Sequence, residues 1–214
     1  MTTCEPGPAK GAGPRLAVVS GPSGVGKSSV VAEIRRRCPR LFVSVSVTTR
    51  APRPGERPGE DYHYVDAATF AELVRRGELL EHARYAGHFY GTPAAPVRAV
   101  LADGRWALLE IELQGARQIR AAMPAALLVM LVPPSWEELG GRLANRGTED
   151  PAVRARRLQV ARTELKAVGE FDVAVVNDNV HRAADELISL MFGTGRRTSA
   201  GLRDPATSDG IWSE

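Results

Sequence analysis

The sequence predicts an α/β fold in which helices cover both faces of a mostly parallel central sheet, in three layers. Short apolar runs, several of them β-branched, alternate along the chain with segments of helical periodicity. Such runs are typical of parallel strands, because these strands are buried on both faces. The chain has 214 residues, of which 43% are hydrophobic and 25% charged. It is therefore long enough, and apolar enough, to form one sizeable core.

The predicted elements alternate between strand and helix through most of the chain. Strands that alternate with helices build a parallel sheet with a crossover helix between neighbours. Ser135 stands three residues before Glu138, which predicts a capping box at the start of one helix. The predicted strands are 16–19, 41–47, 107–111, 127–132 and 173–176. The predicted helices are 28–37, 67–77, 115–122, 135–145, 153–169 and 182–191.

Several segments interrupt this alternation. Residues 51–61 are crowded with Pro, Gly and Arg, and we expect turns there. Residues 142–157 are dense in arginine and contain a glycine and a proline, which predicts a mobile charged segment. Residues 1–14 and 193–214 are rich in small and polar residues, so we expect disordered tails.

A glycine-rich motif between the first strand and the first helix predicts phosphate binding. Glycines let the backbone wrap a polyphosphate with its N–H groups inward, and the helix N-terminus adds further donors. Lys27 would bring a charge to the β- and γ-phosphates, and Ser28 would be a Mg²⁺ ligand. The alternative is a glycine-rich turn without a ligand, but strand, loop and helix in this order favour a nucleoside triphosphate site. The motif, with the residue that follows it, is Gly21, Pro22, Ser23, Gly24, Val25, Gly26, Lys27, Ser28 and Ser29.

Composition argues against several other classes of protein. The longest apolar run, 125–132, is far shorter than the roughly 20 residues of a membrane span, so we expect no membrane partner. The first residues contain no apolar signal core, which favours a cytoplasmic location. Arginines at 35–40 could form a nucleic-acid patch. A solvated helix end is the better interpretation, and we expect no nucleic-acid partner.

Further motifs follow the glycine-rich loop, and together they resemble the guanylate kinases, which phosphorylate GMP with ATP. The resemblance covers about residues 15–192, with the motifs in the family's order and at family-like spacing. The motifs are SVSVTTRAPRPGE at 44–56, GEDY at 59–62, LEHA at 80–83, YGT at 90–92, LEIELQGA at 109–116, PPS at 133–135, RL at 142–143, RGT at 146–148 and VND at 176–178.

The resemblance implies a GMP site between about residues 46 and 97. Arg50 would act in catalysis as well as in phosphate binding, and Glu81 would read the N1–H and exocyclic amine of guanine. Two guanidinium groups and two phenol hydroxyls suit a phosphate dianion. The implied phosphate ligands are Arg50, Arg53, Tyr62 and Tyr90, and the implied base contacts are Ser46, Glu81, Thr92 and Glu110.

The resemblance also implies a lid at about residues 140–160. Its catalytic arginines would be Arg142, Arg146 and Arg157, acting with Lys27, and Asn177 would lie near the adenine of ATP. Glu112 stands where the family usually carries aspartate, so the magnesium surroundings near this carboxylate are open at this point.

The sequence thus predicts an ATP- and Mg²⁺-dependent kinase of GMP and dGMP, with a phosphate-loop core, a GMP-binding insert and a lid. Two alternatives stay open: a phosphate-loop kinase of another nucleoside monophosphate, and a non-catalytic scaffold of guanylate-kinase type. The paired Glu81 and Glu110 favour guanine over other bases, and the intact Lys27 and Ser28 favour catalysis. The oligomeric state is not decided by the sequence.

Overall fold

The computed structural model describes residues 15–144 and 151–193, and strands and helices alternate through them. The strands are β1 Leu16–Ser20, β2 Phe42–Val43, β3 Ser46–Thr48, β4 Tyr62–Tyr64, β5 Leu79–Tyr85, β6 His88–Pro93, β7 Ala107–Glu110, β8 Leu127–Val132 and β9 Val173–Val176. The helices are α1 Lys27–Arg37, α2 Ala67–Arg75, α3 Ala94–Ala102, α4 Leu113–Ala122, α5 Trp136–Ala144, α6 Pro151–Lys166 and α7 Val180–Phe192, with a 3₁₀ turn at Val168–Glu170.

A five-stranded sheet carries the central layer, in the order β2-β7-β1-β8-β9. Strands β2 and β7 pair in parallel, as do β8 and β9. Every residue of β1 and β8 is buried, as expected for parallel strands with both faces covered. The predicted α/β class and parallel central sheet are confirmed.

A second sheet has four strands in the order β4-β3-β6-β5, and of these the sequence predicted only the start of β3, within the predicted strand 41–47. Strand β3 is parallel to β4 and antiparallel to β6, and β5 is antiparallel to β6. Strand β4 has one exposed and two half-buried residues, and β5 mixes buried with exposed residues, so neither has the continuous apolar run that marks a buried strand. In the register of β5 and β6, Glu81 stands opposite Thr92.

The predicted strand at 41–47 is wrong as a single element. Its first part forms β2 beside β7, and Ser44 donates a last backbone hydrogen bond to Leu108. Ser46 then opens β3 in the other sheet. Apolar character is similar on both sides of the break, so hydrophobicity alone could not show that the chain changes sheets.

Local backbone chemistry sets the helix boundaries. Helix α2 ends at Arg75 because Gly77, at φ 64°, closes the C-terminus in the left-handed conformation. Helix α4 begins two residues earlier than predicted, at Leu113, because Glu112 acts as its N-cap. Ser135 accepts a hydrogen bond from the Glu138 N–H at 3.2 Å, as its predicted capping role requires.

The described chain divides into two compact units. One contains Val19–Pro39 and the described residues from Leu127 onwards. The other contains Arg40–Ala126 together with the beginning of β1. No helix in residues 15–144 and 151–193 is long and apolar enough to cross a membrane.

Candidate active site

The glycine-rich loop runs from the end of β1 to the start of α1, in the first compact unit. Gly21 lies so close to β8 that a Cβ atom there would stand 2.3 Å from the Leu131 carbonyl oxygen. Gly26 is the N-cap of α1 in the left-handed conformation, with φ 97°. Both positions need glycine, one for close approach and the other for its backbone angle. The loop therefore has the backbone that its sequence predicts.

The N-terminus of α1 is open to an anion. No side chain caps this helix, and its first turn contains no acidic residue. The first N–H groups of a helix have no partner within the helix, and the helix dipole makes this end positive. Lys27 donates its ammonium protons to the carbonyls of Gly21 and Pro22, and Ser28 is exposed. The loop and the start of α1 thus bring backbone N–H donors and the Lys27 ammonium group close together.

Two side chains from other elements bind the loop at one atom, the carbonyl oxygen of Val25. The Asn177 amide donates to it at 2.8 Å, and Arg142 Nη1 donates at 3.2 Å. Arg142 Nη2 also donates to the Asn177 carbonyl at 2.9 Å and to Glu138 Oε1 at 2.6 Å. Asn177 is only 3% exposed. Its amide, expected near adenine, is used to hold the phosphate loop.

A second set of predicted residues lies in the other compact unit, around Arg50. The Arg50 guanidinium donates to both oxygens of Glu56, at 2.8 and 3.0 Å, and stands 5.2 Å from the centre of the Tyr62 ring. Tyr62 meets Tyr90 edge to face, with ring centres 6.1 Å apart. The structure therefore brings Arg50 together with both predicted tyrosines.

Glu56 organises this cluster, and sequence reasoning did not assign it a role. Besides Arg50, it accepts hydrogen bonds from the Tyr64 hydroxyl and the Arg53 backbone N–H, each at 2.8 Å. Burial would raise the pKa of Glu56, but the hydrogen bonds from Arg50, Arg53 and Tyr64 outweigh burial and lower it to about 2. Glu56 is therefore ionised at neutral pH and fixes Arg50. The Arg53 side chain itself is exposed.

Glu81, the predicted reader of guanine, is a buried carboxylate. It is 4% exposed, and its Oε1 accepts a hydrogen bond from the Thr92 hydroxyl at 2.7 Å. Burial raises the pKa of Glu81 to about 7, against the lowering effect of Thr92, and the charge of Glu112 raises it further. Its Oε2 lies over Gly115, where a Cβ atom would be 2.3 Å away. A carboxylate so strongly shielded from solvent discriminates strongly between hydrogen-bond partners.

The other predicted base contacts lie in the same unit. Ser46 is half-buried and pairs in register with Tyr62. Glu110 is half-buried at the end of β7. Burial first, and the charge of Glu110 second, raise the pKa of Tyr62 to about 12. The Glu110 charge therefore acts on Tyr62, one of the two tyrosines predicted to bind the phosphate of GMP.

Glu112 uses both carboxylate oxygens in the structure. Oε1 accepts from the Gly115 N–H at 2.6 Å, and Oε2 accepts from the Gln114 N–H at 2.9 Å. Glu112, whose relation to magnesium the sequence leaves open, therefore acts as the N-cap of α4. In the described part of the chain there is no group of three or more His, Cys, Asp or Glu residues that could hold a metal ion.

Of the other two predicted lid arginines, the structure describes Arg157. Arg146 lies outside the described residues, as does most of the predicted charged segment before α6. Arg157 is half-buried on α6. Arg142 is the predicted lid arginine that hydrogen-bonds to the phosphate loop, at the Val25 carbonyl.

Comparisons with known proteins agree with this geometry. The family model described as guanylate kinase matches residues 13–193. The guanylate kinase of Thermobifida fusca is 60% identical over 83% of this chain and 90% of its own length. That of Frankia casuarinae is 58% identical over 84% of this chain and 97% of its own.

The chain belongs to the guanylate kinase family.

A solved structure of a family member supports the same assignment at the level of the fold. The crystal structure of guanylate kinase from Anaplasma phagocytophilum covers 94% of this chain and 97% of its own, with a TM-score of 0.70 and 28% identity. The chain is thus an α/β enzyme of the phosphate-loop type, in the class of nucleoside monophosphate kinases.

Glu56 contributes to the site of this guanylate kinase family member, but sequence reasoning did not identify it. Glu56 stands in a Pro-Gly-Glu triplet at 54–56 that reads as turn chemistry. The available signal was charge: an acidic residue six positions after Arg50, in a segment otherwise rich in arginine. Its partner could be identified only when the turn brought the two side chains together.

Proposed function

We propose that this chain transfers the γ-phosphoryl group of ATP to GMP or dGMP, giving ADP and GDP or dGDP. The observation that carries the proposal is the buried Glu81 carboxylate, held by Thr92, in a chain that also has an intact phosphate loop. The loop explains a triphosphate donor, and the dry carboxylate explains selection of guanine.

The donor site is built from the loop and the start of α1. The β- and γ-phosphates take hydrogen bonds from the uncapped N–H groups, and Lys27 exchanges its loop carbonyls for phosphate oxygens. Ser28, exposed in the first helical turn, suits a Mg²⁺ ion through its hydroxyl oxygen. When bound, Mg²⁺ neutralises charge on the β- and γ-oxygens and orients them. We assign Glu112 to the cap of α4 instead of the metal.

The acceptor site is built from the Arg50 cluster and Glu81. Arg50, held on one side by Glu56, offers its remaining N–H groups to the phosphate of GMP, together with the hydroxyls of Tyr62 and Tyr90. Glu81 as a carboxylate accepts hydrogen bonds from guanine N1–H and N2–H. Adenine has an unprotonated N1 at the corresponding position and cannot make this pair.

The reaction is an in-line displacement at the γ-phosphorus. An oxygen of the GMP phosphate forms the new P–O bond while the bond to ADP breaks. The attacking phosphate is largely ionised at neutral pH, so no strong general base is needed. Positioning and charge neutralisation supply most of the rate enhancement, to which Arg142 contributes if it exchanges the Val25 carbonyl for a phosphoryl oxygen. Arg146 and Arg157 keep their predicted lid roles.

A substrate panel tests the proposal. ADP release would be measured with ATP, Mg²⁺ and GMP, dGMP, AMP or UMP, for the wild type, Glu81→Gln and Glu78→Gln. We expect the wild type to use GMP and dGMP and to reject AMP by roughly 10⁴-fold in kcat/KM. Glu81→Gln should lose activity with GMP sharply, because an amide replaces one acceptor with a donor.

Glu78 is an exposed carboxylate just before β5, so Glu78→Gln should behave as the wild type. If Glu81→Gln keeps kcat/KM for GMP within about threefold of wild type, Glu81 does not read the base. Absence of turnover with every monophosphate, despite nucleotide binding, would favour the scaffold alternative.

A further inference from the structure

The amide of Gln118, on α4, binds the backbone of β5 at two points. Gln118 Nε2 donates to the His82 carbonyl at 2.7 Å, and Gln118 Oε1 accepts from the His82 N–H at 3.1 Å. Strand β5 is at the edge of the four-stranded sheet, where backbone groups lack a neighbouring strand. The primary amide therefore occupies the place of a strand partner, and it does so at a single residue.

That residue is the neighbour of Glu81. Because side chains alternate along a strand, exposed His82 faces away while Glu81 is buried. Fixing both backbone groups of His82 restricts the rotation and translation of β5 at this point. It therefore also fixes where the Glu81 side chain leaves the strand.

The same face of α4 supports the Glu81 carboxylate directly. Gly115, three residues before Gln118, lies on the same side of the helix. Its missing Cβ leaves the space for Glu81 Oε2, since a Cβ there would be 2.3 Å from that oxygen. Glu112 accepts the Gly115 N–H at 2.6 Å and so fixes this first turn. The same face of α4 therefore packs against the Glu81 carboxylate at Gly115 and hydrogen-bonds to strand β5 at Gln118.

We propose that Gln118 is a specificity-determining positioning residue, whose two hydrogen bonds to His82 hold Glu81 in register for reading guanine. This inference rests on the proposed function. Gln118 itself does not touch the substrate. It acts by fixing the distance between α4 and β5 at the guanine carboxylate.

Two substitutions separate the hydrogen bonds from the shape of the side chain. Gln118→Leu removes both bonds, and Gln118→Glu keeps an acceptor for the His82 N–H but sets an oxygen against the His82 carbonyl. We expect either variant to raise KM for GMP about tenfold, the effect of one misplaced hydrogen bond. The KM for ATP and kcat at saturating GMP should stay within about twofold of wild type. The ratio of kcat/KM for GMP to kcat/KM for AMP should fall as well, because kcat/KM for GMP decreases.

Two further measurements identify the route of the effect. Exchange of the His82 amide hydrogen should accelerate in Gln118→Leu, because its acceptor is gone. In a Glu81→Gln background, Gln118→Leu should no longer change the dissociation constant of GMP, since the group that it positions is already altered. Asp103→Asn replaces an exposed carboxylate at the end of α3, outside both predicted nucleotide regions and the predicted lid, and should leave all these values unchanged.

The inference is wrong if KM for GMP in Gln118→Leu stays within about twofold of wild type. It is equally wrong if kcat and both KM values change together, which would indicate general loosening of the fold. If Gln118→Leu does not fold, Gln118→Glu decides, and failure of both to fold would make Gln118 a stability residue only. Failure of the proposed function would appear separately, as a wild type that does not turn over GMP.

Discussion

At the scale of single residues, Glu81 shows that a recognition group can oppose stability. Its carboxyl group has an ordinary pKa of 4.5, and burial in the folded chain raises this to about 7. Between these values the folded state binds more protons than the unfolded state. The free energy of unfolding contributed by this group therefore falls as pH rises from about 4.5 to about 7, and it stays low above that range.

We accordingly expect Glu81→Gln to be more stable than the wild type at pH 8 without nucleotides, by up to about 3 kcal/mol. The amide carries no charge to desolvate and can still accept the hydrogen bond from Thr92. The advantage should shrink towards pH 5, where the wild-type carboxyl is protonated. Urea unfolding at both pH values measures it, with Glu78→Gln as the exposed control. Equal stability of Glu81→Gln and wild type at pH 8 would contradict the burial argument.

At the scale of elements, the Val25 carbonyl joins the phosphate loop to helix α5 and to the end of β9. Asn177, which directly follows β9, and Arg142 of α5 both donate to it. Asn177 Nδ2 would also stand 2.6 Å from a Cβ atom on Gly26. The backbone of the loop is therefore held from outside, and its sequence motif alone does not describe it fully.

We expect Asn177→Ala to raise KM for ATP about tenfold and to lower kcat, because the loop carbonyl loses its buried donor. The KM for GMP should change by less than about twofold. Steady-state kinetics with each substrate varied in turn would measure both effects.

Asn179 provides a matched control two residues away. Its side chain caps α7 by accepting from the N–H groups of His181 and Arg182. Asn179→Ala should lower the free energy of unfolding by about 1 kcal/mol and leave KM for ATP unchanged. An unchanged KM for ATP in Asn177→Ala would show that the loop keeps its conformation without this support.

The element scale also shows where sequence reasoning stops. Strands β1, β7, β8 and β9 were predicted within one residue at each end. Burial on both faces leaves a continuous apolar run in β1 and β8, and β9 is also apolar throughout although it is only partly buried. Apart from the start of β3, the four-stranded sheet was missed because its strands are partly exposed and contain polar residues. Helix α3 was missed as well; Ala94–Ala102 follows a strand ending in Pro93 without a capping side chain. Helix α3 therefore lacks the capping residue that marks the start of a helix in sequence.

At the scale of the whole molecule, the residues assigned to ATP and to GMP belong to different compact units. Each nucleotide should therefore stabilise the protein through its own set of residues. A ligand at 100 times its dissociation constant adds about 2.7 kcal/mol to the free energy of unfolding. Lys27→Ala should lose most of the stabilisation by ATP and keep that by GMP, whereas Glu81→Gln should show the opposite pattern.

Thermal unfolding with each nucleotide separately would measure this crossed pattern. Glu60→Gln, an exposed carboxylate in the turn before β4, should respond to both nucleotides as the wild type does. Loss of stabilisation by both nucleotides in either variant would contradict the assignment of separate residue sets.

The sequence by itself determined the α/β class, the phosphate loop and the family, because each depends on residues close together in the chain or on the order of motifs. It also named Arg50, Tyr62, Tyr90, Glu81 and Thr92 through the family resemblance. Only the tertiary structure showed that Glu56 fixes Arg50, that Asn177 holds Val25, that Glu112 caps α4 and that Gln118 binds β5. These roles depend on which backbone atoms and side chains the fold brings within hydrogen-bonding distance. Periodicity and composition do not encode that distance, because most of these partners come from different elements.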